Sequence, residues 1–314
     1  MQADGTHSVA LLTAITQFLN FSLDSVAAKL LVLIPKMPSA LEPPCLISME
    51  VTRNGSADSH YRILANRKVK YITIKAGALD AASLDDMDLN FQNVLPPLPY
   101  QEDSWKLACI TRNPFSGRLE AALSSAALPS VKTIWHPQMI DHLDIERTEY
   151  LALLTQECKW KADSGPERMI AKMARFYWEV QYMEAETRMY QVLEGRGIAP
   201  KFLGHVHEAG RVIGFLLEKI PDGRHAEPAD LEICKVALRR FHGLGFVHGD
   251  CNKYNFIIRP NGQVVLIDFD KSNTCTDPAL MEAEIASLEE QLVETTGRGG
   301  GLMAFDEGNG IAAK

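Results

Sequence analysis

The stretch His248-Gly249-Asp250-Cys251-Asn252-Lys253-Tyr254-Asn255 is followed, after two short apolar runs, by Ile267-Asp268-Phe269-Asp270. The runs flank Asn261-Gly262. Asn-Gly is a strong hairpin signal because both positions tolerate positive φ. A two-residue turn at 261 and 262 pairs Asn255 with Asp268, placing their Cβ atoms about 4.5–5.5 Å apart. Two oxygen-bearing side chains then meet at the open end of the hairpin, and the loop before it delivers Asp250. Such a set is suited to holding Mg²⁺ and orienting a hydroxyl group. An ordinary hairpin with polar ends is the plainer alternative.

Composition narrows the setting. A chain of 314 residues, 46% of them hydrophobic, can bury a substantial core in one large or two modest domains. A formal charge of −8 gives no electrostatic footprint for nucleic acid. No run of about 18 apolar residues occurs, so no membrane span is expected. The N-terminus carries an acidic residue and no basic leader, and does not read as a signal peptide. The six cysteines are scattered without a C-x-x-C pair, so neither zinc nor a disulfide framework is expected. A reducing compartment follows, the cytoplasm with the nucleus left open.

Residues 1–130 read as an accessory segment of mixed α/β. Helical text at 10–35 leads to strands at Arg62–Leu64 and Val69–Lys75, then a solvated acidic loop over Ala81–Asn90. Asp85-Asp86-Met87-Asp88 lacks the loop glycine and distal glutamate of an EF-hand. Leu95–Tyr100 is extended, proline-rich text, and a strand pair brackets Asn113–Gly117. Further on, Met169–Met173 reads as a buried strand carrying one lysine. Ala174–Glu194 contains no Gly or Pro and reads as a long helix stopped by Gly195-Arg196-Gly197. Strands follow at Phe202–His207 and Arg211–Ile220. A helix opens at Glu227-Pro228 with the stripe Leu231, Cys234, Leu238, Phe241, and another runs from Asp277-Pro278 to Glu294. No internal repeat is visible.

The pattern H-x-D-x-x-x-x-N followed by D-F-x, carried by His248, Asp250, Asn255, Asp268 and Phe269, resembles the catalytic end of the protein-kinase-like superfamily. His248-Gly249-Asp250 and the short remainder after Asp270 resemble the aminoglycoside-phosphotransferase and RIO-type branch with its small C-lobe. The longer run from Leu95-Pro-Pro-Leu-Pro to Asp268 looks like a fungal group of kinase-like proteins. The resemblance implies an α+β bilobal protein-kinase-like fold, with a small β-rich N-lobe bearing one long helix and a short helical C-lobe. The kinase-like domain would cover 131–296, with an N-lobe of about 131–220 and a C-lobe of about 221–296. The α/β accessory segment precedes it, and 297–314 form a tail expected to be disordered. It further implies ATP and Mg²⁺ as cofactors, with transfer of the γ-phosphate to a protein Ser/Thr or a small-molecule hydroxyl. Asp250 would orient that hydroxyl and accept its proton. Asn255 and Asp268 would hold the metal, and the hinge residues Glu218, Lys219 and Ile220 would meet adenine.

In that family a strand lysine grips the ATP phosphates and is held by a glutamate of the next helix. Lys172, in Met169-Ile170-Ala171-Lys172, occupies the strand position. Helix register points to Glu186, which shares a stripe with Met183, Tyr190 and Leu193, where a buried carboxylate is costly unless paired. Glu184 falls with Arg188 on a polar side, as an i,i+4 surface pair. Two departures stand out. Thr148–Glu167 holds a single glycine and no G-x-G-x-x-G, so phosphate contacts would come from another loop, with Lys159–Gly165 a candidate. Asp270 replaces the glycine of D-F-G. With the extra N-terminal segment, these keep a second reading open: a pseudokinase or nucleotide-binding scaffold for a protein partner.

Overall fold

The computed structural model describes residues 43–51, 55–85, 87–162, 168–295 and 297. The helices expected within 10–35 and the tail after 297 lie outside these residues. The described strands and helices belong to the unit that begins at Cys45.

The first sheet has five strands in sequence order: β1 (Cys45–Glu50), β2 (Ser59–Ala65), β3 (Lys68–Ile74), β4 (Leu107–Arg112) and β5 (Leu119–Ser124). Asn66 and Arg67 turn the β2–β3 hairpin with φ of 49° and 60°, the paired positive values a two-residue loop requires. β3 and β4 run parallel. A parallel pair needs a long crossover, usually helical. The stretch expected to be an acidic loop supplies it instead as α1 (Ala81–Asp85) and α2 (Met87–Val94). Leu84, Phe91 and Leu95 from this crossover bury against Tyr61, Ile63, Ile72 and Ile110.

A second sheet holds β6 (Met139–Asp141), β7 (Ile145–Tyr150), β8 (Thr155–Trp160), β9 (Met169–Met173), β10 (Phe202–Glu208) and β11 (Arg211–Glu218), in the order β6-β10-β11-β9-β8-β7. Successive side chains of a strand take opposite faces. Met169 and Ala171 of β9 accordingly join Ile140, Cys158, Val206 and Leu216 on one face. Ile170 meets the other, where Phe202, Phe215 and Leu217 pack on α3 (Val180–Leu193) through Met183, Tyr190 and Leu193. α3 begins six residues later than its lack of Gly and Pro suggested. Glu179 holds the preceding link open by accepting the Arg175 and Phe176 N–H groups at 2.6 and 2.9 Å. Phe176 is thereby free to bury beside Val69 and Tyr71 of the first sheet.

The chain then forms β12 (Arg224–His225), α4 (Leu231–His242), β13 (Phe246–Val247), β14 (Phe256–Ile258), β15 (Val264–Leu266), β16 (Asn273–Thr274) and α5 (Pro278–Val293). Here the hairpin register departs from expectation. Phe256 pairs with Leu266 and Ile258 with Val264, and the Gly262 N–H bonds to the Arg259 carbonyl at 2.9 Å. The loop therefore has three residues, Pro260-Asn261-Gly262. Pro260 is pre-set for the first turn position, and Gly262, at φ 80°, supplies the left-handed residue of a bulged turn. Asn255 consequently lies opposite Ile267, whose N–H it accepts at 3.1 Å, and does not face Asp268 across the ladder. The whole is a mixed α+β chain with a sheet-rich lobe and a few helices, compatible with the bilobal kinase-like fold.

Candidate active site

Lys172 projects from β9, where its neighbours are Thr155 of β8 and Phe215 of β11. β11 comes unusually close here: a Cβ on Gly214 would stand 2.1 Å from the Lys172 carbonyl oxygen, so only glycine fits. The Lys172 ammonium pairs with Glu186 of α3 and with Asp268. Burial opposes the lysine's charge, but the two carboxylates outweigh it and raise its pKa. Burial also lifts the Glu186 carboxyl, with Lys172 pulling the other way. Glu186 is 1% exposed, as the apolar stripe requires. Glu184 pairs with Arg188 at 2.9 Å and also accepts the Lys132 N–H and Thr133 hydroxyl, both at 2.7 Å.

Asp268 reaches Lys172 with its carboxylate, from an unusual backbone conformation. Its φ is 66°, left-handed and uncommon for a residue with a side chain. Such conformations cost of order 1–3 kcal/mol and concentrate at functional sites. The left-handed residue lies just beyond β15, and its carboxylate meets the Lys172 ammonium.

The loop before β14 is held from several sides. The Asp250 carboxylate accepts from Asn252 Nδ2 at 2.9 Å and from the Lys271 ammonium, while Asn255 Nδ2 donates to the Asp250 carbonyl at 2.9 Å. Burial would raise the Asp250 pKa, but Lys271 and Asn252 bring it below the ordinary carboxylate value. His248 is fully buried, and burial holds its imidazole neutral. Its Nε2 donates to the Ile267 carbonyl at 3.0 Å, which ties the loop to the end of the hairpin. Glu284 of α5 accepts the His248 and Gly249 N–H groups at 3.0 and 2.6 Å, with His242 Nε2 at 2.7 Å. Burial opposes the Glu284 charge, yet these donors hold its pKa down at about 2. Phe269 is buried with ring centroids 5.4 Å from Tyr190, 5.6 Å from Phe241 and 5.3 Å from His248. One aromatic side chain thus joins α3, α4 and the His248 loop.

Among the described residues no cluster of three or more His, Cys, Asp or Glu side chains forms a closed metal cage. The donors at hand are hard oxygens. Asn255 has its Nδ2 committed to Asp250, which turns its Oδ1 away, and Asp268 uses one carboxylate oxygen on Lys172. Few protein oxygens plus water and phosphate oxygens is the ligand set Mg²⁺ prefers. In chemical type the donors of Asn255 and Asp268 are compatible with that ion.

The sequence-predicted residues fall into three groups. Lys172, Glu186 and Asp268 are in mutual contact through the lysine, and Asp250 and Asn255 touch each other. Glu218, Lys219 and Ile220 make separate contacts. The Glu218 N–H donates to Lys201 O at 2.9 Å and its carboxylate pairs with Arg259 at 2.8 Å, while the Lys219 ammonium goes to Glu157. The β7–β8 turn beside Lys172 is Leu151-Ala152-Leu153-Leu154, closed by Thr155 N–H to the Ala152 carbonyl at 3.2 Å. Lys159 and Lys161 lie at the far end of β8, away from that turn. A cavity of about 640 Å³ is lined by Leu64, Leu153, Met173 and Ile213 and by none of the predicted site residues. Sequence reasoning missed Asn252, Lys271 and Glu284. The first two sit within or beside the quoted motif and carried a usable signal. Glu284 carried none, being one acid among several on a helix.

Residues 223–296 match the lipopolysaccharide kinase (Kdo/WaaP) family. A probable bifunctional tRNA threonylcarbamoyladenosine biosynthesis protein of Methanoculleus marisnigri is 35% identical over 69 residues, which are 22% of this chain. The match takes in 13% of that protein's length. Together these likenesses support the protein-kinase-like superfamily and a kinase-like phosphotransferase.

Proposed function

We propose that the chain is an ATP- and Mg²⁺-dependent phosphotransferase that moves the γ-phosphate to a hydroxyl of a protein Ser/Thr or of a small molecule. The observation that carries this reading is Lys172, which gathers Glu186 of α3 and Asp268 from beyond β15 onto one ammonium group. In the proposed reaction Asp250 orients the acceptor hydroxyl and accepts its proton, within hydrogen-bond reach of the attacking oxygen. Lys172, steadied by Glu186, binds the α- and β-phosphates. Asn255 and Asp268 hold Mg²⁺, which when bound neutralises charge on the phosphate oxygens. Adenine meets the backbone of Lys219 and Ile220, because the Glu218 amide is already given to Lys201. Residues 131–296 form the catalytic unit, with 1–130 an accessory segment and 297–314 a tail.

A thermal-shift titration with ATP, with and without Mg²⁺, tests the reading. Nucleotide at a hundred times its Kd stabilises the folded state by about 2.7 kcal/mol. A clear Mg²⁺-dependent rise in Tm is expected; no shift at millimolar ATP would end the proposal. The leucine-rich β7–β8 turn favours a second reading, a nucleotide-binding scaffold. Binding without phosphoryl transfer to any acceptor or to water would move the assignment there.

A further inference from the structure

Lys271 is the described cation that touches Asp250, and its backbone is fixed against the loop it serves. A Cβ on Gly249, whose φ is 80°, would lie 2.5 Å from the Lys271 carbonyl oxygen, so the two segments meet at a distance only glycine permits. Next to it, Ser272 Oγ donates to the His248 carbonyl at 3.0 Å, and Asn273 pairs with Val247 in the β13–β16 ladder. Asn273 Nδ2 also donates to the Lys271 carbonyl at 2.7 Å. From this anchored point the lysine side chain, 59% exposed, extends to Asp250. A long flexible stem on a rigid base gives its ammonium several reachable positions.

Charge supplies the reason to move. Asp250, Asp268 and Asp270 converge here, and Lys172 is already shared between Glu186 and Asp268. The β7–β8 turn offers no glycine-rich backbone to cradle a terminal phosphate. Transfer spreads negative charge over the three outer oxygens of the moving phosphoryl group, and a positioned cation there lowers the barrier.

We propose that Lys271 is a catalytic residue for the γ-phosphate, resting on Asp250 before nucleotide arrives and moving to the phosphoryl oxygens when ATP binds. This role rests on the proposed phosphotransferase activity. Departure of the lysine frees the Asp250 carboxylate oxygen that it covers. The acceptor O–H proton then passes to that carboxylate, the acceptor oxygen bonds to the γ-phosphorus, and the bond to the β,γ-bridging oxygen breaks with its electron pair leaving on ADP. One cation thus does what the missing loop would do, and couples nucleotide arrival to release of the base.

The test compares binding of ADP and of the β,γ-imido analogue of ATP, each with Mg²⁺, by calorimetry on the full chain and on Lys271→Ala and Lys271→Arg. Lys271→Ala is expected to weaken the triphosphate about tenfold, the scale of one charge-assisted contact. ADP affinity should stay within about twofold, and Lys271→Arg should recover most of the loss, since it keeps the charge. Should the alanine variant fold poorly, Lys271→Gln gives the same comparison. Equal weakening of both nucleotides, or of neither, overturns the proposal while leaving the phosphotransferase reading intact. A wild-type chain that binds neither nucleotide overturns that reading, and the role of Lys271 with it.

Discussion

Lys172 of β9 and Asp268, just beyond β15, form an ion pair across 96 residues of sequence. The pair joins the sheet-rich lobe to the segment after the hairpin, and Glu186 makes it a triad. An ammonium shared by two carboxylates, one fully buried, is held for position rather than for net stability.

Removing the lysine should expose that imbalance. Lys172→Met leaves Glu186 buried without a cation, and a loss of about 3 kcal/mol in denaturant-derived stability is expected. The double variant Lys172→Met/Glu186→Leu should regain most of it, since an apolar pair replaces an orphaned charge. A double variant as unstable as the single one would show that the triad is not the cause.

The two aspartates should separate by function. Asp268→Ala is expected to remove the Mg²⁺-dependent part of ATP binding. Asp250→Asn should leave nucleotide affinity within about threefold while lowering transfer by about 10²-fold or more. Calorimetry and single-turnover assays on both variants would read this. Loss of nucleotide binding in Asp250→Asn would contradict the assignment.

Glu284 predicts a pH dependence. Its folded pKa of about 2 lies below the ordinary value, so its contribution to stability is complete above about pH 4.5 and is lost as pH falls toward 2. Linkage sets an upper bound of about 3 kcal/mol on that contribution, and solvent screening of the partly exposed carboxylate lowers it. Glu284→Gln should therefore be less stable than wild type at pH 7, with the gap closing between about pH 4.5 and 2. Acid-denaturation curves that stay parallel over that window would rule the account out.

A buried network links the first sheet to the second. Glu208 of β10 accepts from Arg62 of β2 and Tyr71 of β3, each at 2.8 Å, and from Arg211 at 3.2 Å. Burial would raise Glu208, but the two arginines hold its pKa down, while burial pushes the Tyr71 hydroxyl up to about 12. Glu208→Ala strands two guanidinium groups and should cost about 3–5 kcal/mol. Disrupting the exposed Lys75–Asp58 pair should have little effect on stability, because water solvates both charges. Urea melts of the two variants give the comparison, and equal effects would refute it.

Much of the fold was legible because its signals are local. Periodicity placed β9, β10, β11 and α4 within a few residues, and burial placed Glu186 rather than Glu184 toward Lys172. Errors arose where distant chain decides. The acidic stretch at 81–90 became helical because β3 and β4 run parallel and need a crossover. α3 started late because Glu179 caps the link that lets Phe176 bury.

By itself, the sequence determined which chemical groups are present and their order: an ammonium on a strand, a carboxylate on an apolar helix stripe, and Asp250, Asn255 and Asp268 about a hairpin. Tertiary structure decided how they meet. Pro260 and Gly262 lengthened the turn by one residue, and in a ladder of period two that shift moved Asp268 out of register with Asn255. Asp268, on a left-handed backbone, meets Lys172, and Glu284 came to the Asp250 loop from a helix whose approach no local pattern encodes. Residue types and spacing are local quantities; register, backbone handedness and the meeting of distant segments are properties of the packed chain.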